Sequence, residues 1–491
     1  MARSYPLPPS AASLSASLRD LGYSLETAVA DLIDNSISAG ATDIRIVCDV
    51  ARKESALAIA DNGHGMTEER LIAAMRHGAT HPNAKRASSD LGRFGLGLKT
   101  ASFSQCRRLT LISARDGQRC GAEWDLNKVE ADDDWSISIL DRDEIAGLPF
   151  ADLLGDTGTL VIWRDLDRLS EDETGQKRDE IVSDKLVTVE RHLALVFHRF
   201  LSGEIKGRKK LAISVNGHPV APFDPFCRKN AATQVLPTET VWVDDAAITM
   251  QPYILPHHSR LSPTEYDYYQ DRSDFISNQG AYIYRSGRLM AWGDWFRLVP
   301  KGEATKLARV QIDFPNGLDE AWTIDIKKSR ARPPHAVRER LRQIINKITA
   351  RSVSVHRGRG QKLFQDAAAP LWERYADHGG IRYALNLQHP LVTSLAGMLP
   401  ADGGASLELL LKAAAAALPV EMIYSDYSTA PREIRQLDTD EADTLKSLHV
   451  LRTLLYGESG GTAQQFLELV RSTRLFEGRQ KIVEDYVGGA F

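Results

Sequence analysis

From Ser24 the apolar residues Leu25, Ala28, Val29, Leu32 and Ile33 recur at helical spacing and stop before Gly40, which predicts a helix ending on a glycine cap. Alternating apolar positions over 44–50 and the apolar run 56–60 read as strands, the second running straight into a turn with two glycines. Thr67, followed by Glu68 and Glu69, marks the capped, acidic start of another helix that ends near Gly78. The stretch 79–89 is polar, holds a proline and has no periodicity, so it reads as a loop. A glycine-rich run over 92–100 then precedes a short helix and strands at 109–113 and 158–163.

After a charged segment at 170–185 the pattern restarts, with a helix over 186–201 and strands near 212–215, 240–243 and 281–284. A basic helix over 336–352 closes this unit, and the rest of the chain reads as helical, alanine- and leucine-rich and without repeats. The fold class expected is α+β in three domains, 1–180, 186–352 and a mainly helical 358–491. With 491 residues the chain is too long for one core. Its 43% hydrophobic and 26% charged residues and net charge of −4 are those of an ordinary globular protein, and global charge selects no partner. Four scattered cysteines without a CxxC pair argue against a zinc site, do not suggest a disulfide scaffold and suit a reducing compartment. The opening MARSYPLPPSAASL does not read as a secretory signal. The longest apolar stretch is broken by Lys412 and Pro419 and falls short of the ~20 residues that cross a bilayer. The expectation is a cytoplasmic protein with no membrane partner.

Candidate chemistry sits in three places. Asp31 and Asn35, four residues apart, share a helix face opposite the apolar stripe. A carboxylate beside an amide oxygen suits a general base orienting water next to a site for Mg2+, although an ordinary solvated face is the alternative. Asp34 reads as a surface acid or a support to its neighbours. The run Asp61-Asn62-Gly63-His64-Gly65-Met66 puts a carboxylate at the end of an apolar strand, where an amine donor such as the 6-amino group of adenine satisfies it. Gly63 and Gly65 let a ring approach the backbone and Met66 offers a soft contact to its face, with a hairpin-type turn as the alternative. Gly92, Gly95 and Gly97 ahead of a helix supply N–H groups and a positive helix end for phosphate, to which Lys99 and Thr100 add a charge and a hydroxyl. The run lacks both Walker spacing and the context of a dinucleotide fingerprint.

Taken in order, DLIDNSISAGA, DNGHGM, GRFGLGLKTAS and GTLVIW resemble the motif series of the GHKL superfamily, which groups gyrase, heat-shock chaperones, histidine kinases and MutL. The resemblance covers roughly residues 20–165 and implies a Bergerat-type α/β sandwich that binds ATP with Mg2+. It makes Asp31 the general base and Asn35 the holder of Mg2+, and has Asp61 read the adenine amine directly and through water with Thr159. Gly95, Leu96, Gly97 and Leu98 would present N–H groups to the phosphates, and residues 79–93 would form an ATP lid. ATPases of this kind usually carry glutamate where this chain has Asp31, and the shorter arm implies slow hydrolysis.

The second domain is similar to the transducer unit of gyrase, MutL and MORC-type proteins, because GAYIYRSGRL over 280–289 resembles the MORC-type segment YVYRNxRLI. A transducer of this kind offers a lysine to the γ-phosphate, and in WTIDIKKS over 322–329 Lys328 is the choice over Lys327, with a solvated strand end as the alternative. Lys206, Arg208, Lys209 and Lys210 form one basic patch, and Arg285, Arg288 and Arg297, interleaved with Tyr284, Trp292 and Trp295, form another. Both are candidate contacts to double-stranded DNA. No DQHA-type endonuclease motif, zinc-binding CW module or topoisomerase tyrosine context is recognisable, so chemistry on DNA would fall to a nuclease or helicase partner subunit. The expected protein is an ATP-gated clamp that homodimerises on ATP binding and acts in DNA repair, silencing or defence against foreign DNA. A chaperone-like or scaffold clamp on protein clients and a nucleotide switch with negligible turnover are the alternatives.

Overall fold

The structure is a computed structural model. It describes residues 5, 7, 9–50, 55–77, 91, 97–169, 175–256, 260–272, 277–302, 305–322, 331–348, 371–377, 380–420, 422–423, 441–456, 462–473, 476 and 479–490. The chain forms two units, Met1–Thr349 and Ala350–Phe491.

Alternation along β1 (Asp43–Asp49) turns Ile44, Ile46 and Cys48 inward. It pairs antiparallel with β2 (Ala56–Asp61), which is buried on both faces, with Leu57 and Ile59 in one core and Ala56, Ala58 and Ala60 in another. With β3 (Arg108–Arg115), β4 (Gln118–Asp125), β5 (Ser138–Leu140), β6 (Gly158–Arg164), β7 (Ala212–Val215) and β8 (His218–Pro219) they make one eight-stranded sheet, in the order β5-β4-β3-β6-β2-β1-β7-β8. Helices α1 (Ala11–Arg19), α2 (Leu25–Ser38), α3 (Glu68–Met75), α4 (Gly97–Phe103), α5 (Leu126–Asp132) and α7 (Gly175–Val196) contribute to the larger core. The short α6 (Arg142–Ala146) closes the smaller core with Ile145. This is the α/β sandwich expected of the N-terminal region.

Two features depart from the pattern reading. Helix α7 begins at Gly175 and runs through residue 185 without a break, because Val182, seven residues before Val189, continues the buried stripe that leads to Leu193 and Val196. The charges of 176–185 are this helix's solvent side and not a linker. Strand β7 then pairs in parallel with β1, Asp43 opposite Ala212, and so extends the first sheet instead of founding a second one.

After α8 (His198–Leu201), a second sheet follows the order β10 (Glu239–Val243), β11 (Ala246–Ile254), β14 (Ala308–Phe314), β12 (Gly280–Arg285), β13 (Arg288–Asp294), with β9 (Gln234–Val235) on β11. Strand β12, between β14 and β13, is wholly buried: Ala281 and Ile283 join a core with Val310 and Ile312, while Tyr282 and Tyr284 join Phe226 and Tyr253. Helix α9 (Pro263–Arg272) and helix α10 (335–348) pack here, the latter through Val337, Leu341, Ile344, Ile345 and Ile348.

The second unit carries helices α11 (Pro390–Met398), α12 (Ala401–Ala416), α13 (Glu441–Tyr456), α14 (Ala463–Thr473) and α15 (Gln480–Ala490). Leu448, Leu451, Phe466, Val470, Val483 and Val487 of the last three form its core. It also contains a hairpin that the helical reading missed, β15 (Trp372–Asp377) with β16 (Gly380–Leu385), whose aromatic and β-branched positions suit a strand. Among the described residues no helix is long and apolar enough to cross a membrane.

Candidate nucleotide site

Helix α2 organises the site. The Ser24 N–H donates to Thr27 Oγ1 at 3.1 Å to start the helix, and Gly40, at φ +76°, turns the chain away after it. Its apolar stripe is fully buried, which fixes its rotation about its own axis. Asp31 comes to lie inside, 3% exposed, with its Oδ2 accepting from the Tyr23 hydroxyl at 3.0 Å. Asn35, one turn on, is exposed. Ser36 faces the opposite way and donates its hydroxyl to Asp61 Oδ2 at 2.7 Å.

Asp61 ends β2 directly opposite Thr159 of β6. Its Oδ1 accepts from the Gly63 N–H at 2.8 Å. Burial pushes its carboxyl above the ordinary carboxylate range, against the opposing pull of the Ser36 hydroxyl, the backbone N–H groups of Gly63 and Thr159, and His64. Asn62 pins the turn by accepting from Thr42 N–H at 2.8 Å and Asp43 N–H at 3.0 Å, and the His64 N–H reaches the Ala39 carbonyl at the end of α2. The Met66 N–H donates to Ser113 Oγ at 2.8 Å, and that hydroxyl lies 3.2 Å from Thr159 Oγ1.

The two glycines of the turn also answer a steric demand of the fold. At Gly65, φ +63°, a Cβ would stand 2.0 Å from the Ala114 carbonyl oxygen, so the residue is glycine because β3 presses against it. At Gly63 a Cβ would meet Ala39 and Asp61 Oδ1 at 3.0 Å. Gly158 makes the corresponding approach from β6, where a Cβ would stand 2.0 Å from the Asp61 carbonyl oxygen.

Of the glycine-rich run, Gly92, Gly95 and Leu96 lie outside the described residues, as does 79–90 of the expected lid. Gly97 and Leu98 open α4, and a Cβ on Gly97 would lie 3.4 Å from Asp31 Oδ2. Thr100 is fully buried. Lys99 corrects an expectation: its side chain turns inward, 2% exposed, and Nζ donates to the Ala74 carbonyl of α3 at 2.8 Å. Burial lowers this ammonium to about 8, and it in turn helps burial to hold His77 down at about 4. Its place is a joint between α3 and α4.

The second basic patch is corrected as well. Arg285 is 2% exposed, grips Asp319 through Nε and Nη2 at 2.6 Å each, and donates from Nη1 to the Leu91 carbonyl at 3.0 Å. Arg288 is 4% exposed and donates from Nε to Asp34 Oδ1 at 3.2 Å. Tyr284 and Trp295 are buried, which leaves Arg297 as the exposed arginine of the group. Asp34 is therefore no surface acid: it is fully buried and ties the back of α2 to β13. In the first patch Lys206, Lys209 and Lys210 are exposed, whereas Arg208 donates to the Ile37 carbonyl at 3.1 Å and lies over the Phe200 ring. Lys327 and Lys328 lie outside the described residues.

Helix α2 thus touches the Asp61 turn through Ser36 and Ala39, and α4 through Asp31 and Gly97. The donor set suits an adenine nucleotide, with a carboxylate held by N–H and O–H donors at one end of α2 and a side-chain-free approach beside Asp31 further along it. For Mg2+ the match is one exposed amide oxygen, on Asn35, and no group of three or more His, Cys, Asp or Glu that could hold a metal exists among the described residues. Tyr23, Ser36, Ser113, Gly158 and the Asp34–Arg288 pair escaped sequence reasoning. Only Ser36 had a signal there, since it sits one residue beyond Asn35 and so faces another side of the same helix.

Residues 23–158 match the family described as histidine kinase-, DNA gyrase B-, and HSP90-like ATPase. The chain is similar to ATPase morc-1 of Caenorhabditis elegans, with 34% identity over 91 residues, 18% of this chain and 10% of that protein. It is also similar to the DNA mismatch repair protein MutL of Colwellia psychrerythraea, with 37% identity over 92 residues, 18% of this chain and 14% of that protein. The matches therefore span only a small part of either relative's length.

Proposed function

Given that residues 23–158 form a GHKL-type ATPase domain resembling those of MORC and MutL proteins, we propose that the protein is an ATP-gated dimerising clamp acting on double-stranded DNA. The observation that supports it most is the convergence of Asp31, Asp61 and Gly97 on α2, whose back is tied by Asp34 and Arg288 to the second sheet. In this reading Asp61 accepts the adenine amine, Asn35 holds Mg2+, and Gly97 and Leu98 with the glycines before them meet the phosphates. Asp31 orients and deprotonates the attacking water, and Lys328 supplies a positive charge to the γ-phosphate. Mg2+, when bound, neutralises charge on the phosphate oxygens. Turnover is slow, because the Asp31 carboxylate is one methylene short of the glutamate that usually stands there. ATP shifts the population toward a dimer and hydrolysis releases it. The exposed Lys206, Lys209 and Lys210 are the surface offered to the DNA backbone.

The test is ATP hydrolysis by the full chain with and without double-stranded DNA, over a salt series, beside a measurement of mass in solution with and without ATP. Stimulation by DNA that grows as salt falls, and a dimer that needs ATP, are the expected results. Stimulation by unfolded protein and not by DNA would move the reading to a clamp on polypeptides.

Asp61 supplies a separate check. Asp61→Asn keeps an acceptor for the Gly63 N–H but converts the other oxygen to a donor, so ATP affinity should fall by about 30-fold, the worth of one charge-assisted hydrogen bond. Stability should move the other way. The folded-state value of this carboxyl is raised, so the stability it contributes is present at acid pH and lost as pH rises through that value. At pH 7 the variant should melt no lower than the parent, and a clear drop in melting temperature would refute this account of Asp61.

A further inference from the structure

The geometry points to Tyr23 as a positioning residue for Asp31, an inference that rests on Asp31 being the general base. Tyr23 lies just before the start of α2, eight residues from Asp31, a span of about 12 Å along a helix axis that a tyrosine and an aspartate reaching toward each other can close. Its hydroxyl donates to Asp31 Oδ2 at 3.0 Å, inside the protein, with Tyr23 7% and Asp31 3% exposed. The tyrosine is itself held. Gly22 enters at φ +70°, and Gln105 Nε2, which also donates to Ser104 Oγ at 2.9 Å, donates to the Tyr23 carbonyl at 3.2 Å.

This arrangement answers the problem that a short acid poses. In hydrolysis, water gives its proton to the Asp31 carboxylate as its oxygen bonds to the γ-phosphorus, and the bridging oxygen leaves with ADP and the electron pair. The proton then returns to solvent. A base acts only if the carboxylate points at the water, and small displacements are expensive in rate. A hydrogen bond from a buried hydroxyl to the carboxylate restrains the rotation of that group.

Tyr23→Phe removes one oxygen and keeps the ring. It should lower kcat about tenfold, the worth of one hydrogen bond to a charged group, while affinity for a non-hydrolysable ATP analogue stays as it is. In an Asp31→Ala background the same change should do nothing further, because Tyr23 acts through Asp31. The double-variant ratio also cancels any defect in folding that Tyr23→Phe brings. An unchanged kcat in Tyr23→Phe with Asp31→Ala inactive, or losses that multiply in the double variant, would overturn the role of Tyr23 and leave the base assignment standing. Full turnover by Asp31→Ala, or a wild-type chain that binds ATP without any turnover, would instead overturn the base assignment and this inference with it.

Discussion

Arg288→Ala should lower the unfolding free energy of the first unit by about 3–5 kcal/mol, the cost of leaving a buried carboxylate without its cation. Asp34 and Arg288 meet at 3.2 Å with side chains 0% and 4% exposed, so the charge that remains stays in a poorly solvated interior. The guanidinium also donates to the Leu289 carbonyl at 2.8 Å and lies 5.7 Å from the centroid of the Phe197 ring, contacts that alanine forfeits as well. Asp34→Ala should cost a similar amount by stranding the arginine. Replacing both with apolar residues of like volume, Asp34→Leu with Arg288→Met, should recover most of the loss, since the pair's attraction is set against the desolvation of two charges. Denaturant midpoints of the four proteins check this. A loss below about 1 kcal/mol in either single variant would show that the pair is no stronger than a surface ion pair. The repaired double variant has a second use: if ATP still binds but no longer drives dimer formation, the pair carries the nucleotide's state from α2 to β13.

The Asp34–Arg288 pair also marks the limit of what the sequence discloses. Local pattern was legible: the period of α2, the alternation of β1, the glycine cap at Gly40 and the order of the motifs all follow from short-range rules that the folded chain obeys. What depends on two distant segments meeting was not. Arg285 and Arg288 read as a surface patch because arginines usually are surface, and only contacts with distant segments bury them, Asp319 and the Leu91 carbonyl for Arg285 and Asp34 of α2 for Arg288. Lys99 read as a phosphate ligand because it follows glycines, whereas the helix that begins at Gly97 turns it toward α3. The charged start of α7 and the parallel pairing of β7 with β1 were hidden for the same reason: composition reports solvent exposure, not which edge a strand joins. At the candidate site, motif spacing singles out Asp31 and Asp61, but the groups that hold them, Tyr23 and Ser36, meet them only in the folded chain.

Asp31→Ala should lower kcat by about 10²–10⁴-fold, the range for loss of a positioned general base, and leave ATP affinity within about threefold of the parent. Binding should be spared because the adenine contact proposed for Asp61, with its supports Ser36 and the Gly63 N–H, does not depend on Asp31. The fold is spared because Asp31 shares its helix with a stripe of apolar residues that carries the packing. Since the hydroxyl of Tyr23 is then left facing the cavity made by the deletion, water can enter and satisfy it. Asp31→Asn is the sharper variant: it keeps the volume and can still accept from Tyr23, yet cannot take a proton, so it should be as inactive as alanine. Single-turnover hydrolysis and analogue binding, measured on the same preparations, separate the two effects. Equal turnover by parent and Asp31→Asn, with ATP tightly bound in both, would sink the hydrolytic reading and leave a nucleotide-operated switch, for which a short acid at position 31 is sufficient because only the bound state has to be read.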